Sequence, residues 1–448
     1  MRRFEPSQAA MKAAIAEGLR QAAPARTKLR CCAIECAGES DRGSVGAHYV
    51  VDHARRAGFH VEQIAPDSNA AGYDVELVSV HHPSDWGRLA AMPKRGRVRL
   101  LGGHTMAINP RPGIPMCDAV CVGEGESWIV EALTRLEEDC RGVALEGLPG
   151  TIVSSSWDRK SDIPEPNVER PLPDNPPYLN RANTLGARWY IEIARGCPFR
   201  CAYCELGHTV AYRYYDVDYV LGKLAAIDGR SSKVNLLAPD EGSHPHYNEI
   251  MAELRRLKHQ QAFGSYRIDR VLAEEIVPYS ASQLVRVGVD GLSDEIREKV
   301  GKRISNAMIV EFFRKLSNNG HVAFKIFMMF GYPWESPAAF DEWAATMDRV
   351  LSIPVRRNCH LRIKWTPLIP QPRTPLACVR PTYDLNMAQA IMDWHARHNR
   401  IKSPPGWSVS CDGMMSANTY YEHARATWGD ETLCLDRAQW VNPTWRTL

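Results

Sequence analysis

Three cysteines stand within eight residues of one another near the middle of the chain: Cys197, Cys201 and Cys204, in the pattern C-x3-C-x2-C. Three thiolates can ligate three irons of a [4Fe–4S] cluster and leave the fourth iron open to a small molecule, to which the cluster can pass an electron. Zinc usually takes four ligands from paired C-x2-C units, and a structural cluster is normally ligated fully by cysteine. The single triplet therefore favours a cluster with one open iron, with zinc and a structural cluster as the alternatives.

Acidic, histidine and further cysteine side chains could also take part in chemistry. Asp240 and Glu241 end a predicted strand, where their carboxylates could meet a cationic group. Several histidines lie in predicted loops, where the imidazole acts as a ligand or acid–base group or is simply solvated: His81, His82, His104, His244 and His246. Six cysteines of the first 150 residues could form an auxiliary cluster, but their spacing matches no metal pattern and favours core packing: Cys31, Cys32, Cys36, Cys117, Cys121 and Cys140.

Length and composition limit the class of protein. The 448 residues are too many for one small core and predict two to three domains. The apolar share of 44% and the charged share of 24% are ordinary for a globular protein, and no apolar run predicts a membrane span. A net charge of +3 does not indicate nucleic acid as a partner. The irregular set of 13 cysteines does not form a secreted disulfide framework, so we expect a cytoplasmic protein.

Short apolar runs alternate with helical segments over residues 28–150, after an N-terminal helix or leader at 1–27. This alternation predicts a doubly wound, Rossmann-like α/β domain with a parallel sheet. Ligands bind such sheets at the carboxyl ends of the strands. Two glycine-rich turns fall at these ends: Gly102, Gly103 and His104 in one, Gly123 and Gly125 in the other.

A second α/β domain is predicted over residues 184–380, after a Pro-rich linker at 151–183. Its first strand leads directly into the three cysteines, and six strand–helix units predict a partial (β/α)6 barrel of the TIM type. Barrels place their active sites at the carboxyl ends of the strands, so the cysteine loop lies where a barrel active site is expected. Residues 381–448 are predicted to form an aromatic-rich C-terminal extension.

The second domain resembles the radical S-adenosylmethionine (SAM) superfamily over about residues 190–375. In that family the C-x3-C-x2-C cysteines hold a [4Fe–4S] cluster whose open iron chelates the amino and carboxylate groups of SAM. The resemblance rests on CAYC (201–204), LLAPDEG (236–242), RVGVDGLSDEIREKVGK (286–302) and FMMFGYPWES (327–336), although the usual Gly-Gly-Glu run is absent. It implies SAM contacts from these residues: Tyr203, Asp240, Glu241, Asp290, Ser293, Gly331 and Pro333.

The first domain resembles the cobalamin-binding-like domain that precedes many members of the same family. The similar segment is RLLGGHTMAINPRPGIPMCDAVCVGEGE (99–126), and WTPLIPQPRTPL (365–376) resembles the sixth-strand ending of members that carry such a domain. No D-x-H-x-x-G motif is present, so no histidine is offered as an obvious lower ligand to cobalt. The resemblance implies cobalamin as a second cofactor, contacted by Gly102, Gly103, His104, Gly123 and Gly125.

These resemblances imply an enzyme that uses one electron from the cluster to cleave SAM to a 5′-deoxyadenosyl radical. Cobalamin-dependent methyl transfer to an unactivated carbon is the expected reaction. We expect an electron donor such as flavodoxin or ferredoxin, and a small-molecule or peptide substrate. The alternatives are a rearrangement, cyclisation or methylthiolation without bound cobalamin, and a non-enzymatic iron–sulfur electron carrier.

Overall fold

A computed structural model describes residues 27–37, 44–180, 187–227, 232–261, 264–276, 278, 284–398 and 405–429. Contacts divide the chain into two units: the first consists mainly of residues up to 187, and the second mainly of residues 188–425. The predicted N-terminal helix and the last aromatic residues of the tail lie outside the described residues. Among the described residues, no helix is both long and apolar enough to cross a membrane.

The first unit is built on one sheet whose strands follow the order β2-β1-β3-β4-β5-β6. The first five strands are parallel, and β6 runs antiparallel to β5 at the edge. This order reverses direction between β1 and β3, as in the flavodoxin-like form of the doubly wound fold, so the predicted fold of this domain is confirmed. The strands are β1 (Arg30–Cys36), β2 (His60–Gln63), β3 (Tyr73–Val80), β4 (Gly96–Gly102), β5 (Ala119–Cys121) and β6 (Thr151–Val153).

Helices cover both faces of this sheet, because successive side chains of its central strands are buried on opposite sides. The helices are α1 (Val45–Arg56), α2 (Trp86–Ala91), α3 (His104–Ile108) and α4 (Glu126–Glu138). One core includes Cys31 of β1 with Trp128 of α4, and the other includes Cys32 of β1 with Trp86 of α2. Neighbouring cysteines of one strand thus pack into opposite cores, which agrees with the predicted packing role.

The Pro-rich segment after residue 150 packs on the first sheet in part. Its first residues form β6, and the backbone of Asn167 pairs with Gly123 in an isolated parallel bridge. The segment also contains the short strand β7 (Tyr178–Asn180). Linker composition predicts an extended chain, but it does not reveal that the open edge of β5 needs hydrogen-bond partners, which this segment supplies.

The second unit contains parallel strands alternating with helices, as predicted for a partial barrel. Strands β12, β11 and β8 are neighbours in that order, and β13 to β17 form a parallel sheet in chain order. Its strands are β8 (Arg188–Glu192), β9 (Ala194–Arg195), β10 (Arg213–Tyr214), β11 (Lys233–Leu237), β12 (Gln260–Gln261), β13 (Gly264–Tyr266), β14 (Val285–Gly288), β15 (Ala323–Phe330), β16 (Cys359–Pro367) and β17 (Trp407–Met414).

The helices of the second unit pack their apolar sides against this sheet. Phe313 of α10, for example, lies edge-on to Trp407 of β17, with ring centroids 5.9 Å apart. These helices are α5 (Leu206–Thr209), α6 (Val217–Ala225), α7 (Tyr247–Arg256), α8 (Ile268–Leu272), α9 (Asp294–Lys299), α10 (Asn306–Asn318), α11 (Pro337–Leu351), α12 (Leu385–His398) and α13 (Ala417–Trp428).

The parallel sheet continues past residue 380, where the sequence predicts the barrel to end. Strand β17 pairs with β16 in parallel, and α12 lies between these strands in the chain. Trp394 and Trp407, both taken as part of an aromatic extension, are almost fully buried. The described part of the extension therefore adds a further strand and its crossover helix to the sheet.

Candidate functional site

The cysteine loop folds tightly on itself directly after β9. Gly196 has φ +68°, and a Cβ there would lie 2.5 Å from the carbonyl oxygens of both Val210 and Ala211. A Cβ at Gly207 would lie 2.0 Å from the carbonyl oxygen of Phe199. Only glycine fits such close backbone approach, so these two positions fix the path of the chain on both sides of the cysteines.

Polar side chains anchor the same loop at its start. Arg195 forms an ion pair with Glu192, with Nε 2.7 Å from Oε1, and both side chains are largely buried. The hydroxyl of Tyr215 donates to the other oxygen of Glu192 at 2.9 Å. Within the loop, Nε2 of His208 lies 3.1 Å from the carbonyl oxygen of Cys201. These contacts hold the backbone that carries the three thiols.

The thiols are set up for ligation rather than for a free thiolate. Burial raises the pKa of Cys197, and it raises the pKa of Cys204 to about 12. The backbone N–H groups of Phe199 and Leu206 donate to these two sulfurs and act in the opposite direction. A metal must therefore displace the protons, after which the N–H donors stabilise the bound thiolates.

The donor set fits a four-iron cluster. Thiolates of three cysteines in one loop suit a [4Fe–4S] cluster, because each cysteine then ligates a different iron. The positive guanidinium of Arg267 lies near Cys197 and favours its charged form, which suits an anionic cluster.

Asp290 joins the cysteine loop to the end of β14. Its Oδ2 accepts a hydrogen bond of 2.8 Å from the hydroxyl of Tyr203 and pairs with Nζ of Lys302. Its backbone carbonyl accepts a 2.7 Å hydrogen bond from the hydroxyl of Tyr332. Asp290 itself has φ +55°, a left-handed conformation that places it at the turn after the strand. The structure thus brings Tyr203 and Asp290 together, as the predicted SAM site requires.

The two acidic residues after β11 face different surroundings. Asp240 accepts a hydrogen bond from the hydroxyl of Ser243, and its charge acts on Cys197, so it lies toward the cysteine loop. Glu241 is 8% exposed and accepts a 2.6 Å hydrogen bond from Nε2 of Gln261. Burial raises the pKa of both carboxyls. The geometry therefore favours Asp240 over Glu241 as a partner for a ligand near the cysteines.

The remaining residues predicted to contact SAM have structural roles of their own. Ser293 is buried and caps α9, since its Oγ accepts a 3.2 Å hydrogen bond from the N–H of Ile296. Gly331 has φ +88° and donates its N–H to the carboxylate of Glu335, and Pro333 is exposed. These roles shape the turns after β14 and β15 and stay compatible with a ligand beside them.

Sequence reasoning missed two basic residues at this site. Lys302 is 8% exposed and faces Asp290, and a Cβ at Gly288 would lie 2.7 Å from its Nζ. Arg297 is fully buried and donates to the carbonyl oxygens of Gly291, at 2.7 Å, and Ile304. Both residues lie in segment 286–302, which carries the family resemblance. The signal available in the sequence was a basic residue in this segment for which no partner was predicted.

In the first unit, the end of β4 leaves room for a ligand. A Cβ at Gly102 would meet no atom within 4 Å, and His104 is exposed at the start of α3. Gly103 has φ +104°, and a Cβ there would lie 2.5 Å from the carbonyl oxygen of Val80. Gly103 thus serves the packing of the turn against β3, whereas the space at Gly102 is open to a large planar ligand.

The glycines after β5 lie close to other residues of the first unit. A Cβ at Gly123 would lie 2.4 Å from the backbone nitrogen of Asn167, and one at Gly125 would lie 3.2 Å from the side chain of Val50. The close approach that these glycines permit is therefore taken by other parts of the first unit. The residues that fit a corrinoid are those at the end of β4.

Comparisons with known proteins agree with this arrangement. Residues 191–344 match the family model of the Radical SAM superfamily. The uncharacterized protein MJ0966 of Methanocaldococcus jannaschii is 24% identical over 313 residues, which cover 67% of this chain and 68% of that protein. A second protein of that organism, provisionally named methylthiotransferase MJ0865, is 28% identical over 130 residues, covering 28% of this chain and 26% of that protein.

A solved structure shows the same fold over most of the chain. The structure of the cobalamin-dependent SAM radical enzyme OxsB, with aqua-cobalamin and SAM bound, is similar with a TM-score of 0.52 and 14% identity. The similarity covers 73% of this chain and 53% of OxsB, so the match spans about half of that protein's length.

The cysteine loop and the parallel strands around it lie within the residues 191–344 that match the Radical SAM superfamily model, in agreement with the resemblance predicted from the sequence. Ahead of these residues the chain carries a doubly wound α/β unit.

Proposed function

We propose that this protein is a radical SAM enzyme that holds a [4Fe–4S] cluster on Cys197, Cys201 and Cys204. The observation that carries the proposal is the built form of the cysteine loop, in which N–H groups of Phe199 and Leu206 already donate to two of the sulfurs. Such donors favour a bound thiolate, because they stabilise its charged form. When bound, the cluster and SAM supply one-electron cleavage of the sulfonium to a 5′-deoxyadenosyl radical.

The chain's own contribution is to position the reactants. The Tyr203–Asp290 hydrogen bond ties the cysteine loop to the end of β14. Lys302, which follows α9, forms an ion pair with the same carboxylate. Lys302 and Asp290 offer opposite charges, which match the carboxylate and ammonium groups of SAM. Their low exposure strengthens these interactions, because a partly buried charge pair is screened less than a surface pair.

The finer proposal is cobalamin-dependent methyl transfer to an unactivated carbon. Its support is a doubly wound unit ahead of the radical SAM domain, together with the open end of β4. Gly102 and His104 would hold the corrinoid. We propose a flavodoxin or ferredoxin as the electron donor, and a small molecule or peptide as the substrate.

Methylthiolation is the second candidate, and the similarity to MJ0865 favours it over a rearrangement. It is the weaker candidate because Cys31, Cys32 and Cys36 pack in two separate apolar cores of the first unit.

Formation of 5′-deoxyadenosine tests the radical SAM assignment. Protein reconstituted anaerobically with iron and sulfide is mixed with SAM and dithionite, and the nucleoside is measured by chromatography. We expect wild type to form it and Cys201→Ala to lose both this product and most of its iron. Cys378→Ala is the matched control, because Cys378 is exposed and is not one of the three cysteines of the C-x3-C-x2-C pattern. Undiminished product from Cys201→Ala would overturn the assignment.

Corrinoid retention tests the finer proposal. Protein is incubated anaerobically with hydroxocobalamin, desalted, and examined by absorbance spectroscopy. We expect stoichiometric corrinoid on wild type and on Cys201→Ala, and loss of the corrinoid on Gly102→Leu, whose side chain fills the open space at the end of β4. Wild type that retains its iron–sulfur spectrum but no corrinoid would exclude cobalamin-dependent methyl transfer.

A further inference from the structure

One face of the sheet formed by β14 to β17 is unusually basic. Alternate residues of these strands are buried against the helices, for example Phe324 and Leu361. The residues between them form the opposite face, which we call the open face. In the described strands, this face carries four basic side chains and one acidic side chain: Arg286, Lys325, Arg362, Lys364 and Asp412.

Strand register places the basic residues side by side. Arg286 of β14 pairs with Lys325 of β15, and Lys325 pairs with Arg362 of β16. Lys364 lies two residues further along β16, opposite Phe327. Three cations therefore occupy directly opposed positions on three neighbouring strands, and the fourth, Lys364, lies two residues further along β16.

This arrangement does not help the sheet to fold. Like charges directly opposite each other on neighbouring strands destabilise a sheet. Asp412 relieves part of the repulsion, since it pairs with Lys325 and its charge also acts on Arg362 and Lys364. Arg286 is influenced by the negative charge of Glu241. Even so, positive charge remains in excess among these five side chains of the open face. A surface lined by one sign of charge raises the local concentration of ligands of the opposite sign.

The open face leads to the candidate SAM site. The N–H of Val289 donates to the carbonyl oxygen of Phe327 at 2.9 Å, so the level of Lys364 is that of the residues just before Asp290. Arg286 precedes Asp290 by four residues, which is about 13 Å along an extended strand. A molecule with its acidic group on the basic residues could therefore reach the Asp290 end of the sheet with its other end.

The basic residues are also accessible and partly outside the family match. Arg362 is exposed, and Lys364 is partly exposed. Both belong to β16, which lies beyond the residues 191–344 that match the superfamily model.

We propose that the open face binds the acidic group of an anionic substrate, a phosphate or carboxylate, through Arg362 and Lys364, with Arg286 below them. A guanidinium binds either group with two parallel hydrogen bonds, and an ammonium adds a point charge. The inference rests on the proposed function, because it takes the open face as the substrate side of the radical SAM site.

Binding of two probes to the full-length reconstituted protein tests the inference. Pyrophosphate and citrate are titrated by calorimetry at constant ionic strength, without SAM or reductant. We expect saturable binding of at least one probe, and the stronger of the two identifies phosphate or carboxylate as the substrate's acidic group. Arg362→Gln and Lys364→Gln should each raise the Kd about tenfold or more, since each removes a charge-assisted contact.

Two further variants distinguish a binding site from general positive charge. Asp412→Asn should lower the Kd severalfold, because it removes the carboxylate that competes for the same cations. Arg349→Gln is the control for net charge, since Arg349 is an exposed residue on α11, and it should leave the Kd unchanged. Absence of saturable binding, or equal weakening by Arg349→Gln, would overturn the inference. Formation of 5′-deoxyadenosine without any probe keeps this outcome separate from a failure of the proposed function.

Discussion

Arg297→Met removes the side chain that organises the turn carrying Asp290. The guanidinium is fully buried and donates to the carbonyl oxygens of Gly291 and Ile304, which lie on the two sides of α9. Methionine fills a similar volume but offers no donor, so both buried carbonyls lose their partner. We expect a less stable second unit and a looser turn after β14.

The magnitude follows from these contacts. A buried acceptor that loses its hydrogen bond costs about 1–3 kcal/mol, so two of them predict a loss of about 4 kcal/mol. The pair with Asp294 adds little, because that carboxylate is 52% exposed and can be solvated. With a slope of about 2 kcal/mol per molar urea, the unfolding midpoint should fall by about 2 M.

Urea unfolding followed by tryptophan fluorescence measures this change. Trp343, Trp365 and Trp394 are buried in the second unit and report on its core. Arg314→Met is the matched control, because Arg314 is 50% exposed and pairs with Glu311 one turn away. It should shift the midpoint by less than about 0.5 M. The same variants are assayed for 5′-deoxyadenosine, which should fall with Arg297→Met. An unchanged midpoint for Arg297→Met would refute the role assigned to its hydrogen bonds.

Two other substitutions give sharp outcomes. Burial raises the pKa of Glu335 from 4.5 to about 7. As the pH rises from 4.5 to 7, Glu335 loses its proton in the unfolded chain before it does so in the folded chain. Stability should therefore fall by about 3 kcal/mol over this range and stay level above pH 7. Glu335→Gln should abolish that fall, and an unchanged pH profile of urea unfolding would contradict this origin. Gly207→Ala should prevent iron incorporation, because its Cβ would meet the carbonyl oxygen of Phe199. Gly222→Ala, whose Cβ meets nothing within 4 Å in α6, should keep the iron and gain up to about 1 kcal/mol; equal iron contents in the two variants would show that the loop tolerates a Cβ.

The cluster ligands come from one loop whose glycines, anchors and N–H donors agree with each other. The proposal of a bound corrinoid rests on the open space at Gly102 and on the doubly wound fold of the first unit. The anionic substrate depends on charges that neighbouring strands bring together. Each is tested by a separate measurement, so the loss of one leaves the others standing.

Local patterns along the chain are enough to predict the order of the elements and to suggest the class of chemistry. The spacing of Cys197, Cys201 and Cys204 is a property of one short loop, and the alternation of apolar strands with helices is also a local pattern. Both patterns can be recognised without knowledge of long-range contacts, so the doubly wound unit and the match to the Radical SAM superfamily model were predicted correctly. The segment around Asp290 is visible in the sequence as well, because its residues are contiguous.

Which residues come into contact depends on the packing of the whole chain. An apolar pattern predicts a strand but not its neighbour, so the sequence did not reveal that β17 extends the sheet or that Asn167 occupies the space at Gly123. A lysine or arginine in a helical stretch is predicted to be solvated, because the residue that it contacts lies elsewhere in the chain. Lys302 at Asp290 and the basic residues of the open face acquire their meaning from strand register and burial, which depend on the packing of the whole unit.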